Sequence, residues 1–400
     1  MRQPPDCRLL PLPQTLFLMI RTPPNPQPIA FRHCREYTAD LAPVLESLLE
    51  PLGGMAAFVK SGQTVILKPN LLSDRHPDQA ITTHPALVQA VIRLVRRQGG
   101  IPRIADSPAA AVKLERVWEK TGMKALAETE QVDLINLEQA GSVRFDDAEG
   151  SFTIAKPILE ADVLINIPKV KTHVFMTLTG AVKNLYGTIP GYQKTHLHKQ
   201  HPDPFSFARL LARIHDRIPP AVTILDGIVG MEGNGPSGGT PRAWGFLAAG
   251  RDAFQLDAFL CALLKIPLGS VPYLFKDRLP SPSCSSVDAF DIRGDTPRLD
   301  PRPCQIPPSF LLRFIPRFLV KLVAPYFWLR PAIAASTCIR CLQCVAACPM
   351  QALTTADRQV PTLTPSRCIG CCCCHEVCPV KAISMERSPL LRMIRRKRNP

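Results

Sequence analysis

Ten of the chain's 15 cysteines fall between Cys338 and Cys378, and their spacing is regular. Cys338, Cys341, Cys344, Cys348 and Pro349 recur 30 residues later as Cys368, Cys371, Cys374, Cys378 and Pro379, and CPMQAL recurs as CPVKAI. Each copy reads C-x-x-C-x-x-C-x-x-x-C-P, in which a tight loop wraps three thiolates around one face of an iron–sulfur cubane and the fourth ligates the other cluster. The spacing assigns Cys338, Cys341, Cys344 and Cys378 to one [4Fe–4S] cluster and Cys368, Cys371, Cys374 and Cys348 to a second. Two such clusters handle electrons one at a time. A structural zinc site, which paired C-x-x-C sequences also form, is the weaker alternative.

Residues 336–386 therefore read as a small α+β module of bacterial ferredoxin type. Cys372 and Cys373 stand extra in its second copy, and as small hydrophobes they read as filler beside the cluster. Cys7, Cys34, Cys261, Cys284 and Cys304 have no motif spacing. In a chain this long the dense cysteines point to metal ligation in a reducing compartment rather than to a disulfide scaffold.

A second set of chemistry-bearing residues lies upstream. Lys68 and Asn70 in VILKPN, Asp106 in ADSP, and Lys169, Lys171 and His173 in NIPKVKTH are ligand-binding candidates. Lys183 and Asn184 in TGAVKN, Asp226 in LDG, and Glu232 and Asn234 in the Gly-rich GIVGMEGNGPSGG complete the set. Lysines and a histidine aimed at one crevice suit a carboxylate or phosphate, while Asp106, Asp226 and Glu232 would orient it or hold a cation. Taken singly, each residue is equally a cap or a salt-bridge partner; their shared position after strands is what marks them. His196, His198 and His201 lack the i, i+4 spacing of a helical zinc pair and read as a surface loop. No Walker loop, G-x-G-x-x-G or nucleophile elbow occurs, and no catalytic residue is assigned.

The elements that would position this set alternate between β-rich and helical runs, the pattern of a mostly parallel α/β sheet with flanking helices. Strands are predicted at 29–33, 64–68, 101–106, 132–136, 162–167, 222–226 and 243–249. Helices are predicted at 38–50, 85–97, 113–121, 180–186, 205–216 and 253–264, and residues 143–155 read as a hairpin added to the sheet. In open parallel sheets ligands bind where strand ends and helix N-termini converge. The expected organisation is an extension over 1–27, the α/β domain over 28–300, a basic linker over 301–335, the cluster module, and a basic tail over 387–400.

Composition narrows the function further. With 46% hydrophobic and 20% charged residues the chain has the balance of a globular protein. Its net charge of +15 gathers around the module, where residues 301–335 carry five Lys or Arg and no acid. No aromatic platform accompanies that charge, so nucleic acid is not an expected partner. Residues 308–328 form a basic amphipathic pattern, interrupted at Pro316, that reads as a linker helix or as a peripheral membrane contact. No run of 18 apolar residues occurs, and the apolar stretch 9–20, broken by Pro11 and Pro13, makes a poor signal peptide.

VILKPNLL, THPALVQAVIRLVRRQGG with ADSP, ADVLINIPKVKTH, LTGAVKNLYGTIPG and LDGIVGMEGNGPSGG together resemble the iron–sulfur proteins of domain-of-unknown-function family 362. The resemblance runs from about residue 29 to 294, and a C-terminal ferredoxin module is a frequent companion in that family. It implies an iron–sulfur centre and no particular reaction. The expected protein is a cytoplasmic redox protein, membrane-peripheral if residues 308–328 make that contact. Its clusters would exchange electrons with a small anionic substrate or a redox partner protein held by the α/β domain, as an oxidoreductase would. The alternative is a ferredoxin-type carrier or adaptor without catalysis of its own.

Overall fold

The runs VILKP and VLINI bury nearly every side chain, as strands covered on both faces must. In the computed structural model, which describes residues 26–307 and 328–388 apart from 39, 110, 192, 276, 277, 280–283 and 358, they lie side by side. The upstream strands are β1 (Ile29–His33), β2 (Thr64–Pro69), β3 (Ile101–Ala105), β4 (Asp133–Ile135), β5 (Ser142–Asp147) and β6 (Gly150–Ala155). They continue with β7 (Val163–Ile167), β8 (Lys169–His173), β9 (Thr177–Thr179), β10 (Val222–Glu232), β11 (Thr240–Gly250) and β12 (Ile292–Gly294). The helices between them are α1 (Ala42–Leu49), α2 (Pro85–Arg97), α3 (Leu114–Lys120), α4 (Met123–Glu130) and α5 (Lys156–Glu160). After these come α6 (Ala181–Asn184), α7 (Gln193–Gln200), α8 (Pro204–Arg217) and α9 (Ala253–Leu263).

One ten-stranded sheet runs β12-β1-β11-β10-β7-β2-β3-β4, with β8 and β9 branching from β10. Its centre, β10-β7-β2-β3-β4, is parallel, and β11 pairs antiparallel with both β1 and β10. Helices seal both faces. On one side α1 and α2 bring Leu45, Leu48, Val88 and Val91; on the other α6, α8 and α9 bring Val182, Phe207, Leu211 and Phe259. Helix α2 begins as its sequence directs, with His84 accepting from the Ala86 N–H and Pro85 in the first turn. Arg96 and Arg97 close it at the negative end of its dipole.

Three sequence expectations are corrected. The hairpin over 143–155 pairs only with itself, as a separate two-stranded sheet of β5 and β6. The segment KVKTH, expected only to follow a strand, is itself a strand, because Pro168 ends β7 and the chain re-enters alongside β10, with Lys169 opposite Asp226 and Lys171 opposite Met231. The histidine-rich segment is helix α7, with His198 buried. The expected helix over 308–328 lies outside the described residues but for Trp328, as do the extension before residue 26 and the tail beyond 388. Among the described residues no helix is long and apolar enough to cross a membrane.

The cluster module is built from β13 (Leu329–Ile333), α10 (Gln343–Ala346), β14 (Leu353–Thr354), β15 (Thr362–Leu363), α11 (Cys373–Val377) and β16 (Ile383–Arg387). β13 pairs antiparallel with β16, and β14 with β15. Its backbone repeats with its sequence: Leu342 and Cys372 precede the two helices with φ of 61° and 67°, and Gln351 and Lys381 follow them with φ of 49° and 54°. The two units are docked. Arg75 donates to the Cys378 carbonyl at 2.6 Å, Ser237 donates to the Glu376 carbonyl at 3.0 Å, and His375 Nε2 lies 3.1 Å from the Asn234 carbonyl oxygen. The Gly-rich loop thus receives the module, and a Cβ at Gly238 would stand 2.5 Å from the His375 ring.

Helix α6, which carries Lys183 and Asn184, is held by one buried carboxylate. Asp257 of α9 accepts the Ala181 and Val182 amides at 2.7 and 3.0 Å, satisfying two donors of the helix N-terminus. Gly180 makes the approach feasible, since a Cβ there would lie 2.0 Å from Asp257 Oδ1. Gly180→Ala is expected to destabilise the chain by roughly 1–3 kcal/mol through overpacking, read as an earlier urea midpoint; an unchanged midpoint would show that this contact does not set α6.

Candidate functional site

Each set of four thiols surrounds its own apolar cavity. Cys338, Cys341, Cys344 and Cys378 line one with Ile333, Leu342 and Ile383. Cys348, Cys368, Cys371 and Cys374 line the other with Pro331, Leu353 and Met385. In each copy a backbone amide donates to the fourth thiol at 3.2 Å, Ala352 to Cys348 Sγ and Ala382 to Cys378 Sγ. Amide donors of this kind tune ligating sulfurs. Among the described residues no group of three His, Cys, Asp or Glu side chains could hold a single metal ion. Thiols spaced around a cavity instead of converging on a point fit a cubane.

A third cavity, polar and about 70 Å³, lies where the sheet's strand ends meet the module. Lys68 reaches it from the end of β2, Asp106 and Ser107 from the turn after β3, Thr179 from β9, and Lys183, Asn184 and Tyr186 from α6 and the turn after it. Lys194 and His198 enter from α7, and Ala347, Cys373, Glu376 and Val377 from the module. Parallel strands deliver these groups to one edge because β2, β3 and β7 share direction and register.

Most of the lining is cross-braced. Lys68 Nζ lies 2.8 Å from Asp106 Oδ1, and Asp106 Oδ2 accepts the Leu71 amide at 2.6 Å. Lys171 donates to Asn70 Oδ1 at 2.8 Å and to the Ile81 carbonyl at 2.6 Å; Asn70 donates to Asn184 Oδ1 at 2.9 Å, and Asn184 to Asn166 Oδ1 at 2.8 Å. Lys194 donates to the Ser107 and Pro108 carbonyls. Three polar groups of the lining remain without a hydrogen bond among the described residues: Lys183 Nζ, Thr179 Oγ1 and His198 Nδ1.

Burial sets the protonation states. It lowers the pKa of Lys68, against the pull of Asp106, and lowers Lys171 further because the Lys183 charge adds to it. It also brings Lys194 down to about 7. His173 Nδ1 accepts the Phe175 and Met176 amides at 3.0 and 3.2 Å, so its proton sits on Nε2, 3.0 Å from Glu376 Oε1. Burial and then the Lys183 charge press the His173 pKa to about 3, leaving the ring a neutral donor. Burial works against the Glu376 carboxylate, yet the adjacent His173 and then the Lys183 charge hold its pKa low.

The eleven candidates read from the sequence separate into groups. Lys68, Asn70, Asp106, Lys183 and Asn184 line the cavity, and Lys171 and His173 stand behind it through Asn70 and Glu376. Lys169 and Asp226 belong to another, closed network. Lys169 Nζ lies 2.7 Å from Asp226 Oδ2 and donates to Tyr37 Oη at 2.7 Å, while Tyr37 donates to Asp226 Oδ1 at 2.6 Å and its ring stacks on His84. Glu232 is taken by Arg242 and Arg302, at 2.9 and 3.0 Å. Asn234 offers its carbonyl to the module.

Sequence reasoning missed Glu376, Cys373, Lys194, His198, Tyr186 and Thr179. One signal was available for the first two. Comparing the repeat with itself places Cys373, His375 and Glu376 of α11 where α10 has Gln343, Val345 and Ala346. The polar face on only one copy marks the side that meets the strand ends. His198 stacks on Phe207 with ring centroids 4.5 Å apart, so the histidine-rich segment packs a core instead of gathering a metal.

Four-thiol cavities docked through a polar cavity onto an α/β sheet define an iron–sulfur protein with an electron-transfer role. The chain belongs to the family described as domain of unknown function DUF362, which it matches over residues 65–262, and residues 331–385 match a 4Fe-4S dicluster domain. It is 39% identical over 229 residues to a thylakoid-associated protein of Synechocystis sp., an alignment covering 57% of this chain and 71% of that one. The lactate racemase apoprotein of Thermoanaerobacterium thermosaccharolyticum superposes with a TM-score of 0.34 at 15% identity, over 51% of each chain.

Burial holds the His198 pKa at about 4, below the usual value near 6.5. The unfolded chain takes up its proton first, so this residue's contribution to stability is complete above pH ~6.5 and is lost as pH falls toward 4. His198→Phe, which keeps the stacking on Phe207, should therefore lose about 1–2 kcal/mol less stability than the parent chain between pH 7 and 5. Denaturant titration at the two pH values measures it; identical losses would place the proton uptake elsewhere.

Proposed function

We propose that the two thiol-lined cavities each hold one [4Fe–4S] cluster and that the pair passes single electrons to or from a small anionic ligand bound in the polar cavity. The observation that carries this reading is the shared wall: α11, which begins between the thiols of the second set, also closes the cavity that the strand ends form. When bound, the clusters would supply one-electron chemistry. The chain's own residues do the rest. Lys183 offers an ammonium without a hydrogen-bond partner among the described residues, and Thr179 and His198 offer unsatisfied polar atoms. The braced Lys68–Asp106 pair and the Lys171–Asn70–Asn184 chain hold the walls in one geometry. A cavity of about 70 Å³ limits the ligand to a few non-hydrogen atoms.

A second reading, a carrier that docks a partner enzyme or a membrane surface from the cytoplasmic side, is favoured by the similarity to a thylakoid-associated protein of Synechocystis sp.. Residues 308–328 and their basic amphipathic pattern would make that contact.

Native mass spectrometry of anaerobically purified protein is expected to show eight irons per chain and a small co-purifying anion. Lys183→Met should keep all eight irons and lose the anion, with at least a tenfold drop in any ligand-dependent oxidation of the reduced protein. Eight irons without a ligand, and an oxidation rate by partner proteins unaffected by Lys183→Met, would favour the carrier.

A further inference from the structure

The two thiols that stand outside the cluster motifs point in different directions. Cys372 occupies the position of Leu342 in the first copy, lines the cavity of the second thiol set and donates to the Gly370 carbonyl at 3.3 Å. Cys373, one residue on, lines the polar cavity instead. In sequence Cys373 stands between Cys371 and Cys374, both members of the second set, and Lys183 lines the same cavity. The first copy has Gln343 at the equivalent position, and of the first thiol set none lines the polar cavity.

We infer that Cys373 is the contact between the second thiol set and the ligand. Electrons then pass between the polar cavity and the cluster held by Cys348, Cys368, Cys371 and Cys374, while the set of Cys338, Cys341, Cys344 and Cys378 faces the external donor or acceptor. This rests on the reading of the cavity as a redox-ligand site and adds which cluster serves it and through which residue. Each transfer moves one electron between that cluster and the bound ligand, which is itself the oxidant or reductant; no protein bond is made or broken. Hydrogen bonds to ligating sulfurs stabilise the more negative, reduced cluster and raise its potential. A Cys373 thiol beside those ligating sulfurs, and the Lys183 side chain across the same cavity, would therefore both act on the second couple. Charge linkage is reciprocal, so an anion that neutralises Lys183 should bind the oxidised protein more tightly than the reduced one.

The test is a redox titration of the ligand-free full chain followed by electron paramagnetic resonance, with iron content checked for each variant. Cys373→Ala should move one of two couples to lower potential, Cys373→Ser should restore it in part, and Lys183→Met should lower the same couple, the other staying in place. A Cys368→Ala chain that keeps one cluster should retain the unmoved couple. Should Cys373→Ala fail to load iron, Lys183→Met, which changes no thiol, decides alone. Couples that stay put, move together, or move in the set of Cys338 overturn the inference. Loss of anion capture in Lys183→Met with both couples unmoved would keep the cavity and remove the route. A selective shift with no anion ever bound would keep the contact and remove the ligand.

Discussion

Five lysine side chains lie at or beside the strand ends, and burying a charged ammonium is costly unless it is paired. Lys68 has Asp106 and Lys169 has Asp226, both carboxylates of the same domain. Lys171 and Lys194 have only neutral oxygens, and Lys183 has no hydrogen-bond partner among the described residues. The sheet's edge is thus short of negative charge, and the rest of the site follows from how that shortage is met. Part is met by Glu376, which arrives from the other unit and sets its carboxylate against His173, within reach of Lys183.

That arrangement ties docking to chemistry. The apolar contribution comes from Ala347 and Val377, packed in the same cluster as α1 and α2, and the polar contribution from Arg75, Ser237 and His375. To these is added a buried carboxylate, Glu376, 3.0 Å from His173 Nε2, whose ring is held in one tautomer by two backbone amides. The helix that delivers Glu376 also delivers Cys373, so the residue that neutralises the strand ends brings a cluster's ligand loop against the cavity. Asp257 performs the corresponding service on the opposite wall by fixing the start of α6.

The closed Lys169–Asp226–Tyr37–His84 network is informative by contrast. Its residues have the same types and the same place after strands as those of the cavity, yet every charged group is satisfied internally. Strand-end position alone therefore did not separate cavity-lining residues from those closed into other networks. What separates them is whether the tertiary fold leaves them lining the cavity, as with Lys183, or turned to partners away from it, as with Glu232 on Arg242 and Arg302.

The sequence by itself determined the cluster module, because a cubane demands thiols at fixed short spacing on a tight loop, and local spacing is written directly in the chain. It also determined the main strands and helices of the α/β domain, though not β8, β9, β12, α4, α5 or α7, and seven of the residues at or just behind the cavity, since strand ends are local features. Tertiary structure decided the remainder. KVKTH became a strand because β10 offered it an edge, β5 and β6 paired apart from the sheet, and the Gly-rich loop met the module rather than a ligand. Glu376 and Cys373, more than 300 residues from Lys68 and Asn70, entered the site because two units of the chain bury a shared charge there, and no local pattern encodes the partner of a buried charge.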